Sequence, residues 1–220
     1  MKGLLKSFLS FGLVVFTIGT GALAKAKTYQ TQLKTNPLLI ASSSSSQPGR
    51  RTDPAYTVPS MVTGDFEIWL IADSNTRIHS GYLGHAWIAL VVTSKGNGGQ
   101  VLATRGFTRD YDLVISDKWE MVKTQAFIGG ERQAVDRVAV KVSRSKAEFI
   151  MSNPGYAGCS KYEVSSSETN CNCSQFTSRL FHYTTNVRYN QYSPSALRRY
   201  ITSKNRASGT HYVNNGRVLN

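Results

Sequence analysis

His85 and Cys173 are the two side chains of this chain best placed to do chemistry. His85 opens the apolar run Gly84-His85-Ala86-Trp87-Ile88-Ala89-Leu90, and Cys173 opens Asn172-Cys173-Ser174-Gln175-Phe176. A thiol at a helix N-terminus lies at the positive end of the macrodipole, beside unpaired backbone N–H groups, and both favour thiolate over thiol. A histidine on a neighbouring strand can take the thiol proton and later deliver it to a leaving group. The two motifs therefore read as nucleophile and base of one site.

The remaining cysteines and histidines frame that reading. The chain has three cysteines, an odd number. If Cys159 and Cys171 pair in an oxidising compartment, Cys173 is left free, whereas a bridge from Cys159 to Cys173 would free Cys171. A bridge between Cys171 and Cys173 is disfavoured by geometry, because alternate residues rarely bridge well. Cys159, Cys171, Cys173 and His182 also count to four metal ligands. A Cys-x-Cys pair without a matching second pair does not have zinc-site spacing, so neither metal nor cofactor is expected. His79 falls in a polar loop, His182 late on the cysteine helix and His211 in the tail, all worse placed than His85.

His85-Ala86-Trp87-Ile88-Ala89-Leu90 and Asn172-Cys173-Ser174-Gln175-Phe176 together resemble the two motifs of the circularly permuted papain-like group, which includes permuted NlpC-type hydrolases and the lecithin:retinol acyltransferase family. In that group the histidine strand precedes the cysteine helix, and the cysteine often follows asparagine with an aromatic residue three places later. The resemblance implies that Cys173 is the nucleophile and His85 the base. It also favours Cys173 over Cys171, since Phe176 lies three places after the former and Ser174 three places after the latter.

Such sites include a third polar residue that orients the imidazole. If Asn97-Gly98 form a two-residue type I′ turn, the hairpin register places Asp110 opposite His85. An aspartate there would fix the ring tautomer and stabilise imidazolium. A single bulge would move the partner to Thr108 or remove it.

The elements that must position these residues follow from period and punctuation. Asp65 to Ala72, His85 to Thr93, Gln100 to Phe107 and Ala134 to Val142 read as strands. A short helix is expected around Ser116 to Val122. Ser145-Lys146-Ala147-Glu148 matches a capping box, with a helix to about Ser152. Cys173, Phe176 and Leu180 fall on one face of a helix that reaches about Tyr183, capped by Asn172 or Asn170. Ser193-Pro194 starts a last helix. The fold class is α+β, a mainly antiparallel sheet with the nucleophile-bearing helix packed against it.

The two ends and the charge bound the setting. Residues 1–24 read as a signal peptide: Lys2 and Lys6 precede an apolar run, Phe8 to Ile18, that is shorter than the ~20 residues a membrane span needs, and Ala22-Leu23-Ala24 supplies small residues for cleavage. Cleavage after Ala26 fits nearly as well, and the mature chain would carry no transmembrane span. Residues 25–60, rich in serine and proline, are expected to form a flexible linker or pro-segment, 61–204 the catalytic domain and 205–220 an irregular tail. The formal charge is +13. The arginines are scattered rather than arranged in a stripe with aromatics, which argues against specific nucleic-acid recognition and leaves anionic envelope surfaces as partners. The combined expectation is a secreted or periplasmic cysteine hydrolase that cleaves amide bonds of cell-wall peptide or protein. The alternatives are a lipid-directed thiol acyltransferase or esterase on the same fold, and a non-catalytic basic protein that binds the envelope.

Overall fold

The computed structural model describes residues 55–77, 83–94, 99–108, 114–115, 117–131, 135–163 and 170–220. Strands β1 (Asp65–Arg77), β2 (Leu83–Thr93), β3 (Gly99–Gly106), β4 (Val114–Ile115) and β5 (Val135–Val142) form one antiparallel sheet in the order β4-β3-β2-β1-β5. Two further short strands, β6 (Lys161–Tyr162) and β7 (Asn170–Cys171), pair in parallel beside it. Helices α1 (Lys118–Ile128), α2 (Arg144–Ser152), α3 (Cys173–Thr185) and α4 (Pro194–Ser208) complete an α+β domain.

The period of two along a strand sends alternate side chains to opposite faces of the sheet. One face carries Ile68, Leu70, Ile88, Leu90, Val138 and Val140, which pack against Ile150 of α2, Phe176, Leu180 and Phe181 of α3, and Leu197 and Ile201 of α4 in one buried core. Burying each of these large side chains contributes about 1.5–3 kcal/mol, so this face carries most of the stability.

The opposite face is covered by α1, whose attachment is largely polar. Trp87 Nε1–H donates to Thr124 Oγ1 (2.9 Å), the Gln125 side chain bridges the Val101 amide and the Gly99 carbonyl (3.0 and 3.1 Å), and Phe127 sets its edge on Trp69. This helix runs to Ile128 rather than ending near Val122. Its apolar residues follow no single stripe, so periodicity alone could not give its length.

Several boundaries differ from the sequence expectation. Strand β1 continues past Ala72 to Arg77, because Asp73 pairs with both His85 and Val135. The N-cap of α2 is Ser143, which accepts from the Lys146 amide, rather than Ser145; Glu148 instead accepts from the Val58 amide. That contact, with the buried Val58 side chain, places residues before 61 in the fold. The tail is also engaged: α4 extends through residue 205 to Ser208, and Tyr212 and Leu219 bridge to Ala139 and Val142 of β5. The Asn97-Gly98 turn lies outside the described residues. No helix among the described residues is long and apolar enough to cross a membrane.

Candidate active site

The thiol comes from the core face of the sheet. Asn172 caps α3 by accepting from the Gln175 amide, and Gln175 Oε1 accepts in return from the Asn172 amide, a reciprocal capping box. The Asn172 side-chain amide also donates to the Tyr192 carbonyl (2.7 Å), tying this helix start to the segment leading into α4. The Gln175 and Phe176 amides are paired to Asn172, while those of Cys173 and Ser174, in the first turn, have no hydrogen-bond partner among the described residues. Cys159 and Cys171 form a disulfide, and Cys173 is a free, buried cysteine. The bridge also takes two sulfurs out of the four-ligand set weighed for zinc.

The imidazole comes from the start of β2. Gly84, which precedes it, has φ +98°, and a Cβ there would meet the Asp73 carbonyl oxygen at 2.7 Å and Pro194 Cβ at 2.9 Å. Only glycine fits both the torsion and the approach of α4. His85 is 2% exposed and close enough to Cys173 for the two side chains to couple electrostatically. The Ala86 amide adds to the stabilisation of the thiolate. The two residues expected to meet are therefore together, at the rim where β2 runs under the first turn of α3.

The third group is Glu120 of α1, approaching from the opposite face. His85 Nε2 lies 2.8 Å from Glu120 Oε1. Glu120 is 1% exposed. Trp87 stacks on the imidazole at 5.6 Å and Trp119 meets it edge-on at 5.9 Å, so the ion pair sits in an aromatic enclosure. The carboxylate fits because β3 presents Gly106 beneath it: a Cβ on Gly106 would lie 1.7 Å from Glu120 Oε1.

The register argument for Asp110 does not hold. Thr93 pairs with Gly99, a bulge intervenes between Leu90 and Val91, and the β2–β3 ladder ends at Trp87 with Gly106. That pairing is displaced by two positions from the one a two-residue Asn97-Gly98 turn requires. Asp110 itself lies outside the described residues, as does His79. Across β1 the ladder partner of His85 is Asp73, yet the imidazole bonds the helix carboxylate. His182 sits in the last turn of α3, and His211 contacts Arg137.

Electrostatics couple the three groups. Burial opposes protonation of His85, but its interactions with Cys173 and Glu120 outweigh it and push the imidazole up to about 10. Burial raises the Cys173 thiol, yet the interactions with His85, Ala86 and Ser174 reverse that and hold it below the ordinary thiol value. Burial lifts Glu120 above the usual carboxylate range, against the pull of His85 and Thr104. These directions favour thiolate and imidazolium together.

Sequence reasoning missed Glu120, although a signal existed. Asp117-Lys118-Trp119-Glu120 has the spacing of a capping box. Asp117 does cap α1, accepting from the Trp119 and Glu120 amides at 2.8 and 3.1 Å, while the Glu120 side chain turns inward.

Compared with protein-family models, curated proteins and solved structures, the chain matches none.

Proposed function

We propose that this chain is an exported cysteine hydrolase that cleaves amide bonds, with Cys173 as nucleophile, His85 as acid and base, and Glu120 as the carboxylate that orients the ring. The observation that carries this reading is a buried series of three groups: a free thiol, an imidazole coupled to it, and a carboxylate 2.8 Å from that imidazole. The circularly permuted papain-like resemblance of the two motifs agrees with it.

The reaction follows from the geometry. The Cys173 thiolate attacks the amide carbonyl, and the resulting oxyanion is met by the Cys173 and Ser174 amides at the positive end of α3. His85, protonated at Nδ1, delivers that proton to the leaving nitrogen as the C–N bond breaks, leaving a thioester on Cys173. His85 then takes a proton from water, whose oxygen attacks the thioester; the C–S bond breaks and acid and thiolate are released. Throughout, Glu120 holds Nε2–H and stabilises the imidazolium. The setting proposed from the leader and the basic charge makes cell-wall peptide or extracellular protein the substrate class.

Two measurements test this. Iodoacetamide should alkylate Cys173 rapidly below pH 7, with His85→Ala slowing it at least tenfold; an inert thiol sinks the proposal. On whichever amide substrate is cleaved, Cys173→Ser should reduce turnover by about 10⁴-fold or more with the circular dichroism unchanged. Full activity in that variant would reject the assignment.

A further inference from the structure

A cavity of about 670 Å³ lies along α4, lined by Arg198, Arg199, Arg206, Thr202 and the serines Ser74, Ser195 and Ser203. Among the described residues its lining is made of arginine, serine and threonine side chains, with no carboxylate. Arg198 is held in place, Nη1 donating to Ser74 Oγ at 2.8 Å, and its buried Nε has no partner among the described residues. Asp136, which touches the lining, is already engaged: it accepts from Thr202 Oγ1 at 2.6 Å and from the Asn205 side chain at 3.2 Å, beside Arg137.

The cavity starts at the rim that holds the thiol. Ser74 follows Asp73, the ladder partner of His85, and the first residue of α4, Pro194, packs on Gly84. The Tyr192 carbonyl, two residues before that helix, accepts from Asn172, the neighbour of Cys173. From Ser195 to Arg206 the lining then follows three turns of helix away from the site, a length of about 16 Å.

We infer that this cavity binds an oxyanion group, carboxylate or phosphate, on the portion of substrate that extends beyond the scissile bond. Arginine forks match such groups bidentately, and serine hydroxyls complete their coordination. The inference rests on the proposed hydrolase for its role but not for its binding. A substrate reaching from Cys173 into the cavity would be selected for negative charge one to three helical turns from the bond that is cut.

Calorimetric titration with tripolyphosphate and, separately, with citrate tests the site. Saturable binding of either is expected, the tighter of the two naming phosphate or carboxylate as the recognised group. The exposed pair Arg199→Gln with Arg206→Gln should weaken it at least tenfold, and a charge-matched pair on other helices, Lys123→Gln with Lys146→Gln, less than twofold. Binding should persist in Cys173→Ala, so an inert thiol would sink the hydrolase and leave the anion site standing. Equal weakening by both double variants, or the absence of saturation with either probe, would overturn the inference and reduce the feature to a diffusely basic surface.

Discussion

Two carboxylates are buried on the same face of the sheet, Glu67 on β1 and Glu120 on α1, and they are treated in opposite ways. Glu67 is surrounded by donors: Trp69 Nε1–H reaches Oε2 at 2.8 Å, Tyr212 Oη–H reaches Oε1 at 2.6 Å, and Arg137 stacks on the Trp69 ring at 3.5 Å. Both its oxygens are satisfied by groups that keep their protons near neutrality; Tyr212 is pushed up to about 12 by burial and by Glu67 itself. Glu120 has one short bond, to a group that must gain and lose a proton, and its Oε2 lacks a hydrogen-bond partner among the described residues. A buried carboxylate locked to permanent donors fastens structure, and one sharing a proton with a histidine and a thiol is poised to respond.

That contrast can be broken most directly by removing each charge. Glu120→Gln should lower kcat by about 10²–10⁴-fold, while Glu67→Gln should leave it within about twofold; similar losses in both would erase the distinction. Gly106→Ala comes next. Its Cβ cannot coexist with the present position of the Glu120 carboxylate, so kcat should fall by about 10–10²-fold, in line with the cost of small misplacements of a catalytic group. Alkylation kinetics would show whether Cys173 reactivity falls with it.

The pH profile sharpens the same point. Thiolate formation should rise with a midpoint below 9.0, the ordinary thiol value, and activity should fade on the alkaline side as His85 loses its proton near 10. His85 is raised on folding, so its stabilisation is complete below pH 6.5 and lost as the pH climbs through about 10. Cys173 is lowered, so its contribution is present above 9.0 and lost as the pH drops through the folded value. In Cys173→Ser the imidazole loses a partner, and NMR titration should find His85 lower than in the parent; an unchanged value would refute the coupling. The smallest catalytic effect belongs to Tyr212→Phe. It should lower stability by about 1–3 kcal/mol, a few degrees of melting temperature, and leave kcat unaltered.

The α+β class was legible from period, and His85 and Cys173 stood out because one lies near the start of a clearly apolar strand and the other opens a helix with one apolar face. Glu120 was hidden by its place three residues into a helix, where a glutamate ordinarily serves the helix end. Only the long-range packing of α1 on β3 turns it toward His85, and the space it needs is created by an absence, the missing side chain of Gly106. The tail escaped detection for a related reason. Tyr212 and Leu219 attach to β5 through isolated bridges, and single non-local pairings leave no period in the sequence. The expectation for Asp110 depended on an ideal two-residue turn, but Thr93 already pairs with Gly99, three positions away from that register, and the bulge at Leu90 and Val91 restores only one.

The Cys159 to Cys171 bridge ends two residues before the reactive sulfur. Its closure removes from reach the one thiol near enough along the chain to compete for oxidants, electrophiles or soft metals with Cys173. Reductive unfolding would restore three equivalent thiols, and reoxidation from that state offers a pairing that consumes Cys173. The redox history of a preparation therefore determines what fraction of molecules can react at all, and thiol titration should precede every kinetic comparison made with this protein.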